Sequence, residues 1–269
     1  VAELLPVPGG GRPLLITDFD GTLYRGDAPL LRYAEEAAAG LPAARRAALL
    51  DALSRYLRDG VTAAAQAAGE AEARALRTAV DGWEAVALLA ADCHGVAPER
   101  LQQAFLATRA AMTGPGLALE VPAGYAELLA ALRSEGVRVV LATNSPADGL
   151  HELLDRLGVR PLVDEVVSST GKPEGLHQLL RRELAAPSGP GGPARVLAVG
   201  DHWRNDVEPA LGVGATTGYI DRFGRRDGPA AATAPDIEGL LPALRAWADG
   251  TAAPGAAGTT ARTATPTRS

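Results

Sequence analysis

Beyond Val121 the chain changes rhythm, and that change limits the possible folds more than any single residue does. Tyr125 to Glu135 has helical spacing and stops at Gly136. Val137 to Ala142 is an apolar, β-branched run, Ala147 to Leu157 is helical again and stops at Gly158, and a further apolar run covers Val163 to Val167. The alternation continues with a helix over Glu174 to Leu184, a strand over Val196 to Val199, a helix over Asp206 to Leu211 and a strand over Ala215 to Ile220. Short, continuously apolar strands alternating with amphipathic helices predict a doubly wound parallel α/β sheet covered on both faces.

One more such run, Leu14-Leu15-Ile16-Thr17, lies far upstream. Between it and the alternating region, roughly Ala28 to Met112, Ala, Leu, Arg and Glu recur at helical spacing with punctuation at Gly40, Gly60, Gly82 and Gly95. Leu49, Leu50, Leu53 and Leu57 share a helix face there, which predicts a bundle of about four helices inserted into the sheet domain. The expected organisation is an α/β core of residues 1–26 and 115–249, an inserted helical cap of residues 27–114, and a disordered tail of residues 250–269. The Ala, Gly, Thr and Pro of that tail have nothing to bury. Pro187 to Pro193 reads as a surface loop.

Composition removes several function classes. The chain has 269 residues and a formal net charge of −6, which argues against a nucleic-acid or membrane-surface partner. No apolar run approaches the ~20 residues needed to cross a bilayer. Val1 to Gly11 has neither the basic nor the apolar stretch of a secretory leader, so a cytoplasmic protein is expected. A single cysteine, Cys93, excludes an internal disulfide and a multi-cysteine metal site. Of the 26 basic residues all are arginine except Lys172, so a position that departs from the arginine habit carries information.

The polar residues collect where the strands end, the edge at which open α/β sheets hold their ligands. The first strand ends in Asp18-Phe19-Asp20-Gly21-Thr22. Two carboxylates at i and i+2 point to one side, and oxygen-only ligation suits Mg²⁺. The second strand ends in Thr143-Asn144-Ser145, donors at the start of a helix whose N–H groups favour an anion. Lys172 follows the third strand, and Gly200-Asp201 ends the fourth, with Asn205-Asp206 one turn further on. Taken singly, each is an ordinary turn, helix cap or surface charge. Together they place at four strand ends the residue types that phosphoryl transfer needs, with the chain's sole lysine among them.

In this order the residues resemble the haloacid dehalogenase-like superfamily, in its phosphatase branch with a helical cap, from Leu14 to about Ile220. Asp18-Phe19-Asp20-Gly21-Thr22-Leu23 is similar to the family's first motif, which implies Asp18 as nucleophile and Asp20 as acid/base. Thr143 looks like the second-motif hydroxyl, Gly171-Lys172-Pro173 like the third motif, and Gly200-Asp201-His202-Trp203-Arg204-Asn205-Asp206 like the acidic fourth. The resemblance further implies Mg²⁺ on the Asp18 carboxylate, the Asp20 backbone carbonyl and Asp201, with Asp206 ligating directly or through water. Thr143, Lys172 and backbone N–H groups near Phe19 and Asn144 would hold the phosphoryl oxygens. Because the family's carbon–halogen hydrolases lack the second aspartate, Asp20 points to phosphate esters.

The implied activity is Mg²⁺-dependent hydrolysis of a small phosphorylated metabolite through an aspartyl-phosphate. Four carboxylates against one lysine leave the site at −3, which a divalent cation and a proton on Asp20 would neutralise. A phosphomutase would use the same residues, and a non-catalytic phosphate-binding module would share the fold. Selectivity candidates are Tyr24-Arg25-Gly26-Asp27, Arg32, Arg55, Arg58 and Arg109. Trp83 and Tyr56 are expected in the cap's interior. His202 and Trp203 are expected to narrow the mouth of the site or pack beneath it, while Cys93 and His94 read as structural and His151 and His177 carry no role. Oligomeric state is not readable from the sequence.

Overall fold

The computed structural model describes residues 12–185 and 195–250. The expectations for Val1 to Gly11, for Pro187 to Pro193 and for the tail beyond Gly250 lie outside the described residues.

The sheet has six strands: β1 (Leu14–Thr17), β2 (Arg138–Ala142), β3 (Glu165–Val167), β4 (Val196–Gly200), β5 (Thr216–Ile220) and β6 (Ala232–Ala234). Their order is β3-β2-β1-β4-β5-β6, and every pairing is parallel. β1 lies between β2 and β4, with Leu15 opposite Val139 on one side and Leu197 on the other. The strand order reverses there, so the carboxyl ends of these strands open a crevice at the topological switch point.

The apolar runs bury both faces by alternation along each strand. Leu15, Val139, Leu141, Leu197 and Val199 face one way, under helices α6 (Tyr125–Ser134), α7 (Leu150–Arg156) and α10 (Ile237–Ala248). Leu14, Ile16, Val140, Ala142, Val196 and Ala198 face the other way, under α8 (Glu174–Ala185) and α9 (Glu208–Gly212). Each fully buried aliphatic side chain contributes about 1.5–3 kcal/mol of transfer free energy. The short β6 and the final helix α10 were not anticipated: β6 offers only Ala-Thr-Ala, which carries no strand-like apolar run.

The insertion between Ala28 and Thr113 holds five α-helices rather than about four: α1 (Ala28–Ala38), α2 (Ala43–Gln66), α3 (Glu70–Thr78), α4 (Gly82–Leu88) and α5 (Pro98–Thr113). They enclose their own hydrophobic cluster, built on Leu49, Leu53, Tyr56, Leu76, Val86 and Leu89. Gly60, at φ 77° and ψ 175°, breaks α2 into two helical stretches that meet at a kink. A Cβ there would sit 2.9 Å from the Phe223 carbonyl oxygen, and the Val61 N–H, released from the helical pattern, donates to that same oxygen at 3.1 Å.

Phe223 belongs to the segment after β5, yet its ring stacks on Tyr56 at 4.5 Å inside the helical cluster. Arg225 donates to the Ala79 carbonyl, and Arg222 pairs with Asp27. The two crossings between sheet and inserted helices also hold each other: Arg25 N–H donates to Glu120 O at 2.8 Å and Glu120 N–H to Arg25 O at 3.3 Å. Phe223→Ala should cost about 3–5 kcal/mol, read as a lower urea midpoint, with faster amide exchange at Val61 and its neighbours.

Candidate active site

Each strand end delivers its residue because the ladder holds the chain up to the rim and then releases it. Asp18 is the first residue past β1, and its N–H still donates to Val199 O at 2.9 Å, which pins the nucleophile candidate between β1 and β4. Thr143 follows β2, with its N–H on Val167 O at 2.9 Å, and its Oγ1 accepts the Ser145 N–H at 3.0 Å. Lys172 comes from the segment after β3, and Asp201 and Asp206 follow β4. Asp18, Asp20, Thr143, Asn144, Lys172, Asp201 and Asp206, far apart in sequence, all line one cavity of about 330 Å³.

At its centre the Lys172 ammonium donates to Asp18 Oδ1 at 2.7 Å and to Asp206 Oδ1 at 2.6 Å. Its side chain is only 3% exposed. Burial alone would lower the lysine's pKa, but the Asp18 and Asp206 carboxylates outweigh it and hold the ammonium charged above its ordinary range. Lys172 owes its placement to Asn144, whose Oδ1 accepts the Lys172 N–H at 2.8 Å while its Nδ2 lies 3.4 Å from the Lys172 carbonyl. The Asn144 side chain is therefore committed to the lysine loop, and any contact of Asn144 with an anion would come from its backbone.

Asp18, Asp201 and Asp206 each offer a carboxylate oxygen within 4.8 Å of one another, a donor set that suits a hard divalent cation. The turn after Asp18 makes this possible: Gly21 has φ +80°, and a Cβ there would lie 2.1 Å from Asp201 Oδ2. Burial, only partly offset by Lys172, pushes the Asp18 carboxyl up to about 7. Asp201 is also raised, first by burial and then by the charge of Asp18. Closely spaced buried carboxylates of this kind need positive charge to stay ionised.

Asp20 turns away from that cluster. Its Oδ1 accepts from Tyr24 Oη at 2.6 Å and Arg109 Nη1 at 2.7 Å, and its Oδ2 accepts from Ser145 Oγ at 2.6 Å. Its carboxylate is no member of the acidic cluster, so the expected metal contact at Asp20 rests on its backbone carbonyl alone. Arg109 stands on inserted helix α5, is 8% exposed, and packs over the Phe19 ring at 5.6 Å. Of the four cap arginines considered from sequence, it is the one brought to the site. Arg32 pairs with Glu36, Arg55 with Asp51 and Glu72, and Arg58 with Asp59.

Tyr24 is buried and acts on Asp20 rather than on the open cavity, while Arg25 pairs with Glu120 and Glu238, and Asp27 with Arg222. Tyr56 is interior, as expected. Trp83 is interior only in part: it packs on Tyr33 and Phe105 and also lines the cavity. His202 lines the mouth and its Nδ1 accepts the Asn205 N–H at 3.2 Å, whereas Trp203 packs beneath, edge-on to Tyr219 at 5.3 Å.

The sequence reading missed Asp81 and Glu84, which line the cavity from the start of α4. Asp81 Oδ1 accepts the Glu84 N–H at 2.7 Å, and burial raises the Asp81 carboxyl above its ordinary range. Their Asp-x-x-Glu spacing signals a helix start, but nothing in it says that the start abuts the strand ends.

Comparison with known proteins identifies relatives of this chain. The chain is 35% identical over 113 residues to the phosphoglycolate phosphatase of Synechococcus elongatus, a match that covers 39% of this chain and half the length of that relative. Among solved structures, a predicted phosphoglycolate phosphatase from Haemophilus somnus superposes with a TM-score of 0.54 at 16% identity, covering 87% of this chain and 98% of that one. The hydrolase YfnB of Bacillus subtilis, solved with magnesium bound, gives 0.52 at 15% identity over 87% and 99% of the two chains. These structural likenesses establish the fold. No helix among the described residues is long and apolar enough to cross a membrane. The haloacid dehalogenase-like hydrolase family profile matches residues 13–214, and the chain belongs to that family.

Proposed function

We propose that this chain is a Mg²⁺-dependent phosphatase of small phosphorylated metabolites that works through an aspartyl-phosphate on Asp18. The observation that carries this reading is the buried Asp18–Lys172–Asp206 bridge at the strand ends, with Asp201 beside it and a separately held carboxylate, Asp20, facing the same cavity. Only a site that handles a highly charged group gains from burying three carboxylates around one lysine. The phosphatase names of the cyanobacterial and Haemophilus relatives support the same chemistry.

An Asp18 oxygen attacks phosphorus in line. The bond from phosphorus to the leaving oxygen breaks, and Asp20 gives that oxygen its proton. Water then attacks the phosphorus of the aspartyl-phosphate, Asp20 takes a proton from it, and inorganic phosphate leaves with Asp18 restored. Lys172 keeps Asp18 oriented and offsets charge on the phosphoryl oxygens, where the Thr143 hydroxyl also donates. Mg²⁺ held by Asp18, Asp201 and Asp206 would neutralise charge on the phosphoryl group. Tyr24, Ser145 and Arg109 fix the direction of the Asp20 carboxylate, so the acid/base group is aimed jointly by the core and by inserted helix α5.

Asp18→Asn should abolish release of phosphate from p-nitrophenyl phosphate, and Asp20→Asn should lower kcat by about 10²–10⁴-fold; turnover retained by Asp18→Asn would remove the covalent mechanism. Arg109→Met should lower kcat by about 10–100-fold with little change in KM, and Arg109→Lys should recover part of the loss.

EDTA should stop turnover, and the cluster also predicts a pH effect on metal-free stability. Asp18 binds its proton more tightly folded, at about 7, than unfolded, near 3.8. Its contribution therefore favours the fold at acid pH and is lost as pH rises through that window. Ions that displace those protons should consequently raise Tm more at about pH 8 than at about pH 5.5, which thermal scans with and without MgCl₂ would read.

A further inference from the structure

The cavity has two unlike walls. The strand-end wall carries Asp18, Lys172 and Thr143, the groups that would handle phosphorus. The facing wall comes from the inserted helices and carries Asp81, Trp83, Glu84 and Phe105. Trp83 and Phe105 meet edge to face at 5.5 Å, a small aromatic corner beside two carboxylates.

Those carboxylates are held in place. Asp81 Oδ1 accepts the Glu84 N–H at 2.7 Å, and Glu84 Oε2 accepts the Val80 N–H at 2.9 Å, a reciprocal cap at the start of α4. Each cap bond uses one oxygen, and among the described residues the second oxygen of each carboxylate has no hydrogen-bond donor. This wall carries no lysine or arginine of its own, and the cation-forming side chain that faces it is His202, which acts electrostatically on Asp81. Lys172 is locked between Asp18 and Asp206 at the other end, and Arg109 is locked on Asp20 and does not line the cavity. His202 lines the mouth from the segment after β4.

We propose that the site selects phosphate monoesters whose leaving alcohol carries a protonated amine, recognised by Asp81 and Glu84 against the Trp83 and Phe105 rings. An ammonium held there meets two carboxylates and two aromatic rings, the combination that binds amine cations. A carboxylate or second phosphate in the same place meets two like charges in the cavity, with no lysine or arginine on that wall to answer it. The volume of about 330 Å³ admits a phosphoryl group and a short leaving group together. This selectivity rests on the phosphatase reading above and sets the chain apart from the carboxylate-bearing substrate named for its cyanobacterial relative.

Three esters of closely matched length carry a positive, neutral or negative end group: phosphoethanolamine, hydroxyethyl phosphate and phosphoglycolate. With the full chain and MgCl₂, kcat/KM is expected to fall in that order, with at least about tenfold between the first and the last, the scale of one desolvated cation–aromatic or charge-pair contact. Asp81→Asn with Glu84→Gln keeps both helix-cap bonds possible and should collapse the preference. Phosphoglycolate turned over as fast as the amine ester, or a preference unchanged in the double variant, overturns the proposal. Turnover of p-nitrophenyl phosphate with none of the three esters accepted overturns it while the phosphatase reading stands. No turnover of any ester removes the phosphatase reading, and the proposal with it.

Discussion

The site is organised around one ammonium group between two carboxylates. Lys172 bridges Asp18 and Asp206 from the segment after β3, so three strand ends are joined through a single buried cation. Taken out of water separately, each of these charges would carry a large desolvation cost, and together they satisfy one another. The arrangement is asymmetric. The excess is negative, Asp201 adds to it, and burial has already raised the Asp18 and Asp201 carboxyls. A negative excess of this kind is what a divalent cation held by Asp18, Asp201 and Asp206 would offset.

The sheet explains why such a cluster can be rigid. β1 is flanked by β2 and β4, and the backbone bonds from Asp18 to Val199 and from Thr143 to Val167 carry the ladder up to Asp18 and Thr143 themselves. Asn144 then ties the lysine loop back to the end of β2. Charge is positioned by elements packed on both faces, so the geometry does not depend on a free loop.

The inserted helices do more than cover the opening. Through Arg109 they reach the Asp20 carboxylate, and through Asp81, Trp83, Glu84 and Phe105 they form the far wall of the cavity. In return the core enters them, with Phe223 against Tyr56 and its carbonyl on Val61 at the Gly60 kink. The two walls of the cavity thus come from different parts of the chain, joined by the paired crossings at Arg25 and Glu120.

The strand-end residues were legible in the sequence because parallel strands are continuous apolar runs, and whatever polar group follows such a run must emerge at the same rim. That logic located Asp18, Asp20, Thr143, Lys172, Asp201 and Asp206 without coordinates, and the helical insertion was plain from the change of period. It failed at β6, where Ala-Thr-Ala shows no apolar run, while the punctuation read at Gly60 does break α2 against Phe223. It also could not choose Arg109 among four similar arginines, nor assign Asp81 and Glu84 more than a helix cap. Those residues act across the gap between insertion and sheet, and such contacts depend on how two separately packed cores meet. The sequence by itself determined which groups stand at the strand ends, because local period and strand polarity dictate it. Only the tertiary structure decided what faces them, because that depends on long-range packing which no local pattern encodes.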